Sequence, residues 1–131
     1  MDSQSDLLMR DPAAPTRTAR ASQRQLHLWI VQRATAMVLA VAVLVHLVTI
    51  IYAVRGGLTA AEIIERIQAN LAWLVFYAIF ALAAGLHGAI GMRTIAAETL
   101  GWHGRGFDLL WLAIGLVTAA FGIRAAWGLY A

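Results

Sequence analysis

The chain alternates three long apolar windows with short polar stretches. Residues 34–54 are interrupted only by Thr35, His46 and Thr49, residues 71–92 by His87 alone, and residues 109–129 by Thr118 and Arg124. Each window is about 21 residues long. A helix rising about 1.5 Å per residue needs about 20 residues to cross ~30 Å of hydrocarbon. Backbone amides have no water to pair with in lipid, so the windows are expected to be helices rather than open strands. The pattern predicts an all-α membrane protein with three transmembrane helices, spans near 28–54, 71–95 and 108–129. Residues 26–131 then form the membrane unit, and residues 1–25, with Pro12 and Pro15, a polar tail expected to order only against a partner.

The polar punctuation adds detail. Arg55-Gly56-Gly57 marks a stop after the first span, and Thr59-Ala60-Ala61-Glu62 fits a capping box. Ile63, Ile64 and Ile67 follow on one face, which predicts a short amphipathic helix in the membrane interface between spans 1 and 2. Arg10, Arg17, Arg20 and Arg24 precede the first span. The positive-inside tendency therefore puts the N-terminus in the cytoplasm and the loop between spans 2 and 3 on the same side. Trp29, Trp73, Trp102, Trp111, Trp127 and Tyr130 fall near span ends, as interfacial aromatics do.

Composition narrows the class. Of 131 residues, 61% are hydrophobic, more than a soluble domain of this size can hide, so the surplus faces lipid or other subunits. Cysteine is absent, which excludes disulfides, thiolate metal sites, iron–sulfur clusters and covalent haem attachment. The net charge of +3 comes from dispersed arginines and forms no nucleic-acid patch. The first apolar window starts too late for a signal peptide, and the tail carries Asp2, Asp6 and Asp11, unlike a transit peptide. An uncleaved protein of the bacterial inner membrane is expected.

Candidate chemistry sits where polar residues enter the spans. His87 is the one ionisable group in its window, and an imidazole at membrane depth is costly. Three readings stand: metal or haem ligation, contact with a quinone or a proton path, or a hydrogen bond to a neighbouring helix. It lies roughly 9–15 Å from the cytoplasmic end of its span. Ala83, Ala84, Gly91, Thr94 and Glu98 lie near its stripe, and most are small enough to admit a flat macrocycle or a close helix. Glu98 is about 16 Å further along the same face, either a proton-handling carboxylate for quinone chemistry or an interfacial charge. Arg33, a turn into span 1, has to snorkel or meet an anion, and its donor fork suits a haem propionate or a quinone carbonyl. His46 is about 20 Å beyond Arg33, hence nearer the external side than His87, and is an alternative ligand or a structural residue. Arg124 is read as structural, and His27 and His103 as solvated boundary residues.

Together these residues resemble the small cytochrome b membrane anchors of succinate dehydrogenase and fumarate reductase (respiratory complex II). Gln32-Arg33-Ala34-Thr35-Ala36-Met37 looks like the family's arginine, small residue and threonine or serine at the start of helix 1. His87-x-x-x-Gly91-Met92-Arg93 with Glu98 is similar to its histidine, glycine, arginine and acidic residue at the end of helix 2. The resemblance implies a subunit without catalytic activity of its own. Its implied partners are a second membrane anchor, an iron–sulfur subunit and a flavoprotein, within the lipid bilayer. It implies haem b held between the two anchors, with His87 as this chain's axial ligand and Arg33 toward a propionate and the quinone. Ubiquinone or menaquinone would bind near Arg33, Trp29 and Glu98. Trp29 stands where some members place a quinone-contacting serine. Residues 98–111 also resemble a haem-free fumarate reductase anchor, so a haem-free structural anchor is the alternative. A pore former is a third reading of three apolar helices.

Overall fold

The computed structural model describes residues 17–131; Arg10, Pro12, Pro15 and the tail aspartates lie outside the described residues. Four helices follow one another: α1 Arg17–Arg55, α2 Ala60–Ile67, α3 Leu71–Leu100 and α4 Arg105–Tyr130. The chain divides after Ile30 into two units. In the first, α1 is already helical from Arg17, inside the expected polar tail, and His27 donates from Nδ1 to the Gln23 carbonyl at 2.7 Å. Residues 31–131 hold the rest. α1, α3 and α4 are each long and apolar enough to span a bilayer, and the protein is a multi-pass, all-α membrane protein.

Local chemistry sets the corners. No proline or glycine interrupts residues 17–55, and α1 closes where Gly57 turns left-handed at φ 65° and Leu58 donates to the Ala53 carbonyl at 3.0 Å. Thr59 then caps α2 as expected: Glu62 N–H donates to Thr59 Oγ1, and Glu62 Oε2 accepts from Thr59 N–H at 2.7 Å. Asn70 caps α3 through Ala72 N–H at 3.0 Å. The junction of α2 and α3 is pinned by the far end of α4. Ala69, held left-handed at φ 56°, donates to the Tyr130 carbonyl at 2.9 Å, satisfying a carbonyl the helix end leaves open.

The interior holds small residues. The buried hydrophobic side chains among the described residues are alanines: Ala42, Ala81, Ala83, Ala96, Ala119 and Ala126. Large side chains such as Met37, Val48, Leu116 and Phe121 lie outward, with 61–68% of their surface exposed. Membrane helices gain nothing from hiding leucine from lipid, so they associate through close van der Waals contact at small residues. α3 and α4 do this, antiparallel. A Cβ added at Gly85 would fall 2.5 Å from the Gly115 carbonyl oxygen, and one added at Gly122 would fall 2.6 Å from Ala81 Cβ. At the end nearest the α3–α4 loop, Arg93 Nε donates to Asp108 Oδ1 at 2.7 Å and ties the two helices again.

Candidate functional site

The α1-facing side of α3 carries His87 and Tyr77. Three contacts join the helices antiparallel, ascending α1 as they descend α3. Gln32 lies against Gly91, where an added Cβ would be 3.0 Å from Gln32 Nε2. Thr35 Oγ1 meets His87 Nδ1 at 3.4 Å. His46 meets Tyr77 edge to face, with ring centroids 6.2 Å apart. Between the second and third lies an apolar recess of about 360 Å³ lined by Met37, Val38, Val41, Ala42, Phe76 and Ile79.

His87 is half-buried, and its Nε2 has no hydrogen-bond partner among the described residues. Gln32 Oε1 beside it is buried without a partner. Thr35 bonds its own helix, Oγ1 lying 2.8 Å from the Val31 carbonyl and 3.1 Å from that of Gln32. A Cβ added to Gly88, next to His87, would meet nothing within 4 Å. A bare imidazole nitrogen beside open space at membrane depth suits an iron ligand. No group of three or more His, Asp or Glu side chains that could hold a metal ion occurs among the described residues.

The other sequence candidates lie apart. His46 is eleven residues beyond Thr35, about 16 Å along the axis, so its imidazole and that of His87 sit at different levels. It lines a separate recess of about 380 Å³ with Tyr52, Arg66, Trp73 and Tyr77. Arg33 is exposed and starts about 160° around α1 from Thr35, away from the His87 contact. Glu98 is exposed near the end of α3, and Trp29, in the other unit, is 61% exposed.

Three features escape a reading of spacing alone. Asp108 is the partner of Arg93, Trp111 Nε1 is buried without a partner, and Thr35 faces the imidazole. For Thr35 a signal exists: a hydroxyl in an apolar window, two residues after Arg33.

The fold and this flank define a class, a multi-pass membrane protein with an imidazole, His87, at an interhelical face within a span. The model of the succinate dehydrogenase/fumarate reductase transmembrane subunit family matches residues 8–123, and the chain belongs to that family. Neither the curated proteins nor the solved structures give a match.

Proposed function

We propose that this chain is an anchor subunit of a succinate:quinone oxidoreductase that ligates haem b through His87 Nε2, with a second anchor subunit giving the other axial ligand. The observation that carries this reading is the half-buried His87, engaged on one nitrogen and without a partner on the other. Having one imidazole at that level, the chain needs a ligand from outside itself. Haem b would supply one-electron transfer between an iron–sulfur subunit and quinone. The chain's own residues hold, orient and screen. Gly88 leaves open space next to the imidazole, and further along the same helix pair the recess lining is apolar.

Arg33 lies on the side of α1 away from the His87 contact, where the donor fork of its guanidinium suits a quinone oxygen better than a propionate. Glu98 at the end of α3 takes up or releases a proton for the ubiquinone or menaquinone. The N-terminus lies in the cytoplasm of a bacterium, and the iron–sulfur subunit, carrying the flavoprotein, docks on that face. A reduced-minus-oxidised spectrum of the purified complex tests this. A b-type band that is lost in His87→Ala is expected. A colourless wild-type complex leaves the haem-free structural anchor.

A further inference from the structure

We infer that Thr35 is a positioning residue for His87: it fixes the imidazole as the Nδ1–H tautomer and so keeps Nε2 bare. The inference deepens the haem reading above and rests on it for what Nε2 then binds. The number of protons available decides the tautomer. A hydroxyl has one proton and two lone pairs. Thr35 Oγ1 has three neighbours: the Val31 carbonyl at 2.8 Å, the Gln32 carbonyl at 3.1 Å and His87 Nδ1 at 3.4 Å. Carbonyl oxygens can only accept, so the proton goes to the closer and better placed of them, the Val31 carbonyl, as threonine does inside helices. Toward His87 the oxygen is left with lone pairs. Nδ1–H must then be the donor, and a neutral imidazole protonated at Nδ1 is unprotonated at Nε2. The opposite arrangement would give up a 2.8 Å hydrogen bond for a 3.4 Å contact.

The consequence reaches ligand strength. A histidine ligand whose other N–H is held by an acceptor is oriented and made more basic, and loss of such a partner costs about 10–100-fold in metal affinity. A more basic imidazole favours oxidised iron, so loss of the hydroxyl moves the midpoint potential upward.

The test uses the assembled complex with ¹⁵N-labelled histidine, as wild type, Thr35→Val, Thr35→Ala and Thr35→Ser. Prepared with haem synthesis blocked, wild type and Thr35→Ser should show His87 protonated at Nδ1, and the two hydroxyl-free variants a mixture of tautomers. With haem supplied, Thr35→Val should lose haem to a competing apoprotein about 10–100 times more readily and titrate at a more positive potential, with Thr35→Ser close to wild type. A wild-type His87 protonated at Nε2 overturns the inference, as does a Thr35→Val complex equal to wild type in tautomer and potential. If Thr35→Val fails to assemble, Thr35→Ala and the wild-type nitrogen spectrum still decide it. A colourless wild-type complex defeats the haem reading alone, because the tautomer is read without haem.

Discussion

Gly85 and His87 are two residues apart on α3, so they point about 160° apart around its axis and meet different neighbours. Gly85 meets α4 with backbone nearly on backbone, and a single added carbon there has no room. His87 meets α1 through one hydroxyl at 3.4 Å, with a recess beyond and the unpartnered Gln32 Oε1 beside it. The first interface is closed by backbone contact at Gly85 and Gly115, although Trp111 Nε1 on α4 is buried without a partner. The second holds polar groups and space that the chain itself leaves unmatched, and in lipid such groups are expensive unless something else meets them. Close packing on one face of α3 and looser packing around a polar contact on the other is the division of labour expected of a subunit that packs as an α3–α4 hairpin and works by what it receives on the α1 side.

The sharpest way to break that comparison is to add one methyl group to each face. In Gly115→Ala the new Cβ would lie 2.7 Å from Ala89 Cβ and 2.8 Å from the Gly85 carbonyl oxygen, so the helices must part. Overpacking of this kind costs about 1–3 kcal/mol, more than the ~1 kcal/mol that alanine gains over glycine as a helix former. Gly91→Ala meets only the movable end of Gln32 at 3.0 Å, so it should be neutral or slightly stabilising. Unfolding of the two variants by SDS titration in mixed micelles measures the difference. Equal losses would mean that both faces are equally tight and that the contrast is false.

Next in size is the Arg93–Asp108 pair, which closes the tight side at its loop end. Its side chains keep 29% and 24% of their surface exposed, between a surface pair and a buried one. Surface pairs contribute about 0–1 kcal/mol, and breaking a buried pair costs about 3–5. Discounted for solvent screening, a double-mutant cycle of Arg93→Ala and Asp108→Ala should give a coupling of about 1 kcal/mol. A coupling of zero would place the whole stability of this interface in its glycines and alanines.

The two faces were not equally legible in the sequence. The spans were, because their length and apolarity are set by the bilayer and read by counting. The Thr59–Glu62 capping box was, because its partners are three residues apart and need no knowledge of the fold. The start of α1 at Arg17 was not: residues 17–25 are too polar to register as span, yet Ala19, Arg20, Ala21 and Gln23 are good helix formers that continue the spanning helix outward. Asp108 could not be matched to Arg93 from spacing, since their meeting depends on α3 running on to Leu100 before the chain reverses. His87 stood out for its cost, whereas Gly85 and Gly115, which decide how close the helices come, carried no such mark. Small residues are visible in a sequence, but which of them face each other depends on a helix crossing that one-dimensional periodicity does not contain.

The smallest effect concerns α2, which lines the His46 recess with Ile63, Arg66 and Ile67. If the α1 side is loosely packed, α2 must owe its order there to its own cap. The Glu62 carboxylate accepts from Thr59 N–H at 2.7 Å and from Thr59 Oγ1 at 2.8 Å. The backbone hydrogen bond, then the hydroxyl, with a lesser contribution from Arg66, hold its pKa below the ordinary 4.5. A carboxyl with a lowered folded pKa contributes stability that is fully present above its unfolded value and lost as pH falls through the folded one. α2 should therefore fray below about pH 4.5, on the acid side only. The chain has no cysteine, so Glu65→Cys gives a single spin-label site on the exposed face of α2. Label mobility should rise on acidification in the chain with Glu62, and follow a flat profile with Glu62→Gln, whose neutral amide keeps an acceptor but has no proton to gain. A flat profile with Glu62 present would mean that Ile63 and Ile67 pack firmly enough to hold the helix without its cap, and the α1 side would then be less open than its recesses imply.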